Sequence, residues 1–203
     1  MRKMIKQVLI VALLTVLVWA GALIADRQKL NEELIRLHVV ANSDSREDQD
    51  IKLMVRDAVN KSLKKDLAQV TDPAMAYDYI QQNLPKIQSV ANETLKRAGV
   101  SPDAVVSLCK EAFDTRSYDT FTLPAGVYNA LRITIGQGLG KNWWCVVFPG
   151  LCQSVTVTGF EETAVAAGFS QSLSDTLTGS DGYQIRFFLL DAIGRLENKL
   201  FDT

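Results

Sequence analysis

The chain of 203 residues has one histidine and three cysteines, no acidic residue before Asp26, and no charge of either sign from Val8 to Ala25. Its basic residues are scattered: nowhere do Lys and Arg form the clustered cationic patch that phosphate binding needs, which excludes a basic nucleic-acid binder. His38 with Cys109, Cys145 and Cys152 does not give the ligand spacing of a zinc site. The acidic run from Asp44 to Asp50 lacks the ligand order and central glycine of a calcium loop. At 47% hydrophobic residues the chain is too apolar for disorder to be its general state. The near balance of 22 Lys and Arg against 23 Asp and Glu hides two unlike parts, because three of the cations, Arg2, Lys3 and Lys6, precede the first acid.

What is present at the N-terminus is an uninterrupted apolar stretch, VLIVALLTVLVWAGALIA (8–25). As a helix its 18 residues reach roughly 27 Å, close to the hydrocarbon thickness of a bilayer. The cations before it predict that the N-terminus stays in the cytoplasm and that residues 26–203 form an exported domain. Trp19 suits an interfacial anchor. Ala20-Gly21-Ala22 is also a small-x-small cleavage site after a shorter apolar run, so residues 1–25 read as a membrane anchor or a signal peptide.

Beyond the leader, Leu34 to Ala41 alternates Ile35, Leu37 and Val39 with Arg36, His38 and Val40, as a strand with one buried face does. Ser45 with Asp48 has capping-box spacing and opens a helix to about Leu67, with Ile51, Val55, Val59 and Leu63 at steps of four. Asp72-Pro73 is a second helix start, Gly99 suits a C-cap, and Pro85 between them predicts a kink or two shorter helices.

From about Asp103 the period changes to two, and strands are predicted near 105–109, 127–135 and 142–148. The glycine-rich connection Gly136–Lys141 reads as a hairpin loop between the last two; its spacing, with a strand following, does not fit a nucleotide-binding loop. Fourteen of the thirty residues in 153–182 are Ser, Thr or Gly, which predicts a flexible polar segment. Phe188, Ala192, Leu196 and Leu200 form the stripe of a closing helix. The expected fold is α+β: a hydrophobic N-terminal helix, then a small antiparallel sheet of about four strands packed with two to three helices and a C-terminal helix.

Cys145 and Cys152 can close a short disulfide loop over VVFPGL in an exported domain, leaving Cys109 as a buried apolar thiol; connectivity stays open at this level. His38 with Cys145 would be the minimal thiol nucleophile and base of a cell-wall hydrolase or transpeptidase. The plainer reading of His38 is a solvated or hydrogen-bonded strand residue. Trp143 and Trp144 are adjacent and must point to opposite faces of their strand, so one packs inward and the other is covered by the terminal helix or presented outward.

Two segments, RLHVVANSDSREDQDIKLMVRDAVNKSL (36–63) and PAGVYNALRITIGQGLGKNWWCVVFPGLC (124–152), resemble the stage II sporulation protein R family of endospore-forming Firmicutes. Gly150 stands where that family often has a second proline. The resemblance implies a non-enzymatic signalling protein exported from the forespore into the space between the two sporulation membranes. There it would activate a membrane-embedded aspartic protease of the mother cell, which processes a sigma-factor precursor. No cofactor, metal or small-molecule substrate is implied. The expected partner-binding residues are Asn42, Asp44, Asn142, Trp143 and Trp144, turns beside rigid strands being usual recognition points.

Overall fold

The computed structural model describes residues 1–101, 103–150, 157–179 and 184–201. Its elements run α1 (Arg2–Glu33), β1 (Ile35–Val40), α2 (Arg46–Asp66), α3 (Pro73–Gln82), α4 (Leu84–Arg97), β2 (Ala104–Phe113), β3 (Arg116–Ser117) and β4 (Thr122–Leu123). They continue with β5 (Gly126–Ile135), β6 (Asn142–Phe148), α5 (Val157–Ala166), α6 (Gln171–Thr178) and α7 (Gln184–Phe201). The architecture is α+β, with a four-stranded sheet carrying helices on both faces.

The apolar stretch does not end in a separate leader. No glycine or proline follows Gly21 before the strand, so the helix continues through DRQKLNEE to Glu33, where Leu34 turns extended at φ −86° and ψ 135°. Up to Trp19 its large apolar side chains are exposed; from Leu23 onward one face is buried, with Leu30 and Leu34 fully enclosed. Among the described residues α1 is the one helix long and apolar enough to cross a membrane, and the same features fit a signal sequence.

The sheet order is β2-β5-β1-β6. β1 pairs parallel to β5 (Leu37 with Leu131, Val39 with Ile133) and antiparallel to β6 (Leu37 with Cys145, Val39 with Trp143), so the sheet is mixed. This corrects the hairpin reading of Gly136–Lys141, since β1 lies between the two strands that loop joins. Central placement also explains why all six β1 residues are buried where alternation suggested one face.

One face carries α2, α3 and α4. The Ser45 side chain accepts from the Asp48 amide and Asp72 accepts from Ala74 and Met75, so both predicted starts are capped. Around Pro85 the chain forms two helices, separated at Asn83. Their stripes, with Val55, Val59, Ile80, Ile87 and Leu95, cover Leu37, Val39, Leu131 and Ile133, each large side chain contributing about 1.5–3 kcal/mol on burial. α4 also protects an open sheet edge: Asn92 and Gln88 accept from the Ala104 and Val106 amides of β2 at 2.7 and 3.4 Å.

The second face is covered by the end of α1, the β3–β4 ribbon and α5 to α7, around Phe113, Phe121, Tyr128, Phe160 and Phe169. In place of the flexible polar segment expected over 153–182, residues 157–179 form two helices that bury Phe160, Ala164, Leu173 and Leu177. Serine and threonine are serving as helix caps and small packing residues there: Ser170 caps α6, and Ser174 is fully buried.

α7 packs through a mixed face. Leu190 is fully buried, with Phe187 and Leu189 packed against the second core, and beside them Arg186 pairs with Asp26, Glu197 with Arg27 at 2.6 Å, and Asn198 donates to the Phe113 carbonyl at 2.8 Å. Asp191 accepts from the Ala125 amide at 2.8 Å and from the Thr115 hydroxyl. The Phe188, Leu196 and Leu200 stripe faces outward.

Candidate functional site

The C-terminal end of β1 is where the expected partner-binding residues meet. After Val40 the chain turns through Asn42, Ser43 and Asp44 into α2, while the glycine-rich connection crosses over that turn from β5 to β6. The crossing is fastened at each step. Asn42 Oδ1 accepts from the Gln137 amide at 3.0 Å, the Leu139 and Gly140 amides donate to the Asn42 and Ala41 carbonyls, and Asp44 Oδ1 accepts from the Lys141 amide at 2.7 Å. A methyl group on Gly140 would sit 2.2 Å from the Ser43 carbonyl oxygen, so this approach requires glycine.

The clasp extends into α2. Asn42 Nδ2 donates to Asp48 at 3.1 Å and the Ser43 hydroxyl donates to the same oxygen. The Ser43 hydroxyl foremost, with Asn42 and Ser45, holds the Asp48 carboxyl below its ordinary value. Lys52, buried beside them, donates to Gln49 at 2.6 Å and to the Lys141 carbonyl at 3.0 Å; burial foremost pushes its ammonium pKa down. Asn42 and Asp44 thus hold the turn and the loop together, and their polar atoms serve that role first.

From this clasp β6 starts outward. Asn142 is exposed, and Trp143 and Trp144 take opposite faces as their adjacency requires. Trp143 is 38% exposed, with the Arg56 guanidinium of α2 4.3 Å from the ring centre. Trp144 is half-buried against the second core. It stacks on His38 at 5.6 Å with 19° between the rings, and the Arg116 guanidinium lies 3.7 Å from its ring centre.

His38 is buried, and its Nδ1 lies 2.8 Å from Glu111, which also accepts from Arg132 at 3.0 Å. Cys145 is not part of this group. His38 lies opposite Trp144 in the β1–β6 register, whereas Cys145 lies opposite Leu37 and points with it into the α2–α4 core. The imidazole and the sulfur occupy opposite faces of one sheet, so the thiol-base pairing of His38 with Cys145 is overturned. Cys109 is the free thiol among the described residues; burial foremost, with the Glu111 charge, pushes its pKa up and away from a reactive thiolate. Cys152, the other half of the expected disulfide, lies outside the described residues.

Sequence reasoning passed over Arg116, Glu111 and Arg132, because each acquires its role from a cross-strand or cross-loop neighbour. Arg36 did leave a signal, as a charge alternating with His38 inside an apolar strand. It is fully buried, 4.0 Å over Phe113, and donates to the Tyr118 hydroxyl at 3.1 Å.

A family model for stage II sporulation protein R matches residues 31–157, spanning β1 to the start of α5 and so the whole clasp. Stage II sporulation protein R of Bacillus subtilis (strain 168) is 33% identical over 183 aligned residues, covering 81% of this chain and 82% of that relative. No solved structure matches. With the family model covering more than half the chain and a relative aligned over most of both lengths, the protein belongs to the stage II sporulation protein R family.

Proposed function

We propose that this chain is an exported, non-enzymatic signalling protein of sporulation. In this reading it is delivered from the forespore to the intermembrane space and activates a membrane-embedded aspartic protease of the mother cell, which then cleaves a sigma-factor precursor. An activating ligand needs a surface that binds the active state of its target better than the inactive one, and it needs no chemistry of its own. The observation that carries the proposal is the rigid edge at the start of β6: Asn142 and Trp143 are exposed on a strand whose approach is fastened by at least four hydrogen bonds from residues 41–44. A partly exposed tryptophan on a fixed strand is a typical binding anchor.

In this reading Asn142, Trp143 and the outer part of Trp144 meet the protease, while Asn42 and Asp44 shape the edge. Cys145 is proposed to bond Cys152, closing a short loop over VVFPGL. The reading is tested by reconstituting the full chain, the protease and the sigma precursor in proteoliposomes and following precursor cleavage. Cleavage that depends on the wild-type chain and drops with Trp143→Ala is the expected result. Cleavage that is equal without the chain would overturn the function; equal stimulation by Trp143→Ala and Asn142→Ala would overturn the proposed surface.

A further inference from the structure

A helix packed on a domain normally turns its apolar stripe inward. α7 turns only Leu190, with Phe187 and Leu189 partly, into the second core and leaves a further apolar stripe outside: Ile185, Phe188, Ile193 and Leu196 are exposed, Phe188 by 66% and Leu196 by 59%, while the carboxylates of Asp191 and Glu197 face the domain beside Leu190. Exposed apolar area of this extent along one helix marks a surface that something covers.

The position of α7 indicates what. Two of its ion pairs go to Asp26 and Arg27, the first charged residues after the apolar section of α1. Arg186 and Glu197 are eleven positions apart, roughly 16 Å along a helix, yet their partners on α1, Asp26 for the one and Arg27 and Asn31 for the other, lie within about 8 Å along that helix. α7 therefore crosses α1 at the point where the apolar section ends instead of running beside it. If that section stands in a bilayer, Asp26 and Arg27 mark the water boundary and α7 lies across it. Arg195, whose side chain is 64% exposed while it pairs with Asp191, and Lys199 flank the outward stripe, as cations flank the apolar face of helices lying in a headgroup region.

We propose that the outward face of α7 rests on the lipid surface of the membrane that α1 enters, as an interfacial helix with a preference for anionic lipids. Ile185, Phe188 and Leu196 enter the headgroup boundary, and the inner face, with Leu190, Arg186, Asp191 and Glu197, holds the sheet at a fixed height above it. The proposal rests on reading α1 as membrane-inserted and is independent of protease activation.

The test uses the full chain in nanodiscs of phosphatidylcholine, with and without phosphatidylglycerol, containing a phospholipid with a diazirine on its acyl chain. After photolysis, adducts are mapped by mass spectrometry. Adducts on residues 8–25 and also on 185–196, with more of the latter in the anionic discs, are expected. Phe188→Ser/Leu196→Ser should lower the α7 adducts about tenfold and leave those on α1 unchanged; because both side chains are exposed, amide protection of the sheet should be unaltered. Adducts on α1 with none on α7 would overturn the proposal, as would chain-to-chain cross-links through α7 in their place, which would assign the face to a second copy. Absence of adducts on α1 would overturn the membrane reading and the proposal together.

Discussion

Gly194→Ala is a substitution for which local propensity and packing give opposite signs. In the interior of an exposed helix, alanine is favoured over glycine by about 1 kcal/mol. At this position the added methyl would lie 1.7 Å from the Ala125 carbonyl oxygen and 2.7 Å from Arg27 Nη2. Neither neighbour yields easily: the first is backbone, and the second is a buried guanidinium already bounded on another side by Gly126, where a methyl would be 1.6 Å from Nη2. α7 must therefore lift away from the sheet, which costs about 1–3 kcal/mol for overpacking. It also lengthens the Arg27–Glu197 contact, now 2.6 Å, a charged hydrogen bond worth about 1.5–3 kcal/mol. Taking the middle of each range and subtracting the propensity gain, the net expectation is destabilisation by about 3 kcal/mol. Urea titration of the full chain in one mild detergent, followed by tryptophan fluorescence, should show a midpoint lowered by about 1–2 M at a slope of roughly 2 kcal/mol/M. An unchanged or raised midpoint would mean that α7 is not seated on Ala125, and the account of its inward face would be wrong.

Two further outcomes follow from the same geometry. Asn42→Ala removes one acceptor and one donor from the clasp, and amide exchange at Gln137 and Gly140 should accelerate about tenfold, equivalent to roughly 1.4 kcal/mol of local opening; unchanged protection would show that the Asn42 side chain does not hold the crossing, which then rests on the backbone bonds and Asp44. The attachment of α7 should be acid-sensitive. Burial raises the carboxyls of Asp191 and Glu197, but for Asp191 the Ala125 amide, Thr115 and Arg195, and for Glu197 the Arg27 pair and Asn31, outweigh it and leave both below their ordinary values. A carboxyl lowered by folding stabilises above its unfolded pKa of about 4, and that stability is lost as pH falls through the folded value. Exchange of α7 amides, corrected for intrinsic rate, should be flat from pH 7 to 5 and rise below about 4. A rise centred near pH 6 would contradict the assignment.

Local chemistry was the part of the fold legible in the sequence. Ser45 with Asp48, Asp72-Pro73 and Pro85 act on backbone groups within four residues of themselves, so their helix boundaries could be read directly. The pairing of β1 could not, because a strand inserted between β5 and β6 leaves no mark on either of them, and a glycine-rich link of six residues serves a hairpin and a crossing alike. Over 157–179 the count of serine and threonine obscured Phe160, Leu173 and Leu177, which sit at helical spacing. The stripe of α7 was visible, but periodicity tells only that a helix has two faces. Which one turns inward depended on Asp26 and Arg27, some 160 and 170 positions away in the chain. At the candidate site the opposite faces of Trp143 and Trp144 followed from adjacency, whereas the separation of His38 from Cys145 needed the register.

The order of strands in the sheet also sets a schedule for synthesis. β1 is the first strand made, yet both of its neighbours come late: Leu37 must wait for Leu131 on one side and Cys145 on the other. At about 5–20 residues per second this is an interval of several seconds, during which an apolar strand has no ladder to join. The helices α2, α3 and α4 can form in that time, but the surface they cover does not yet exist. A chain passing through a secretion channel must stay unfolded until most of it has crossed, and this topology withholds its central strand from pairing until about two-thirds of the polypeptide has emerged.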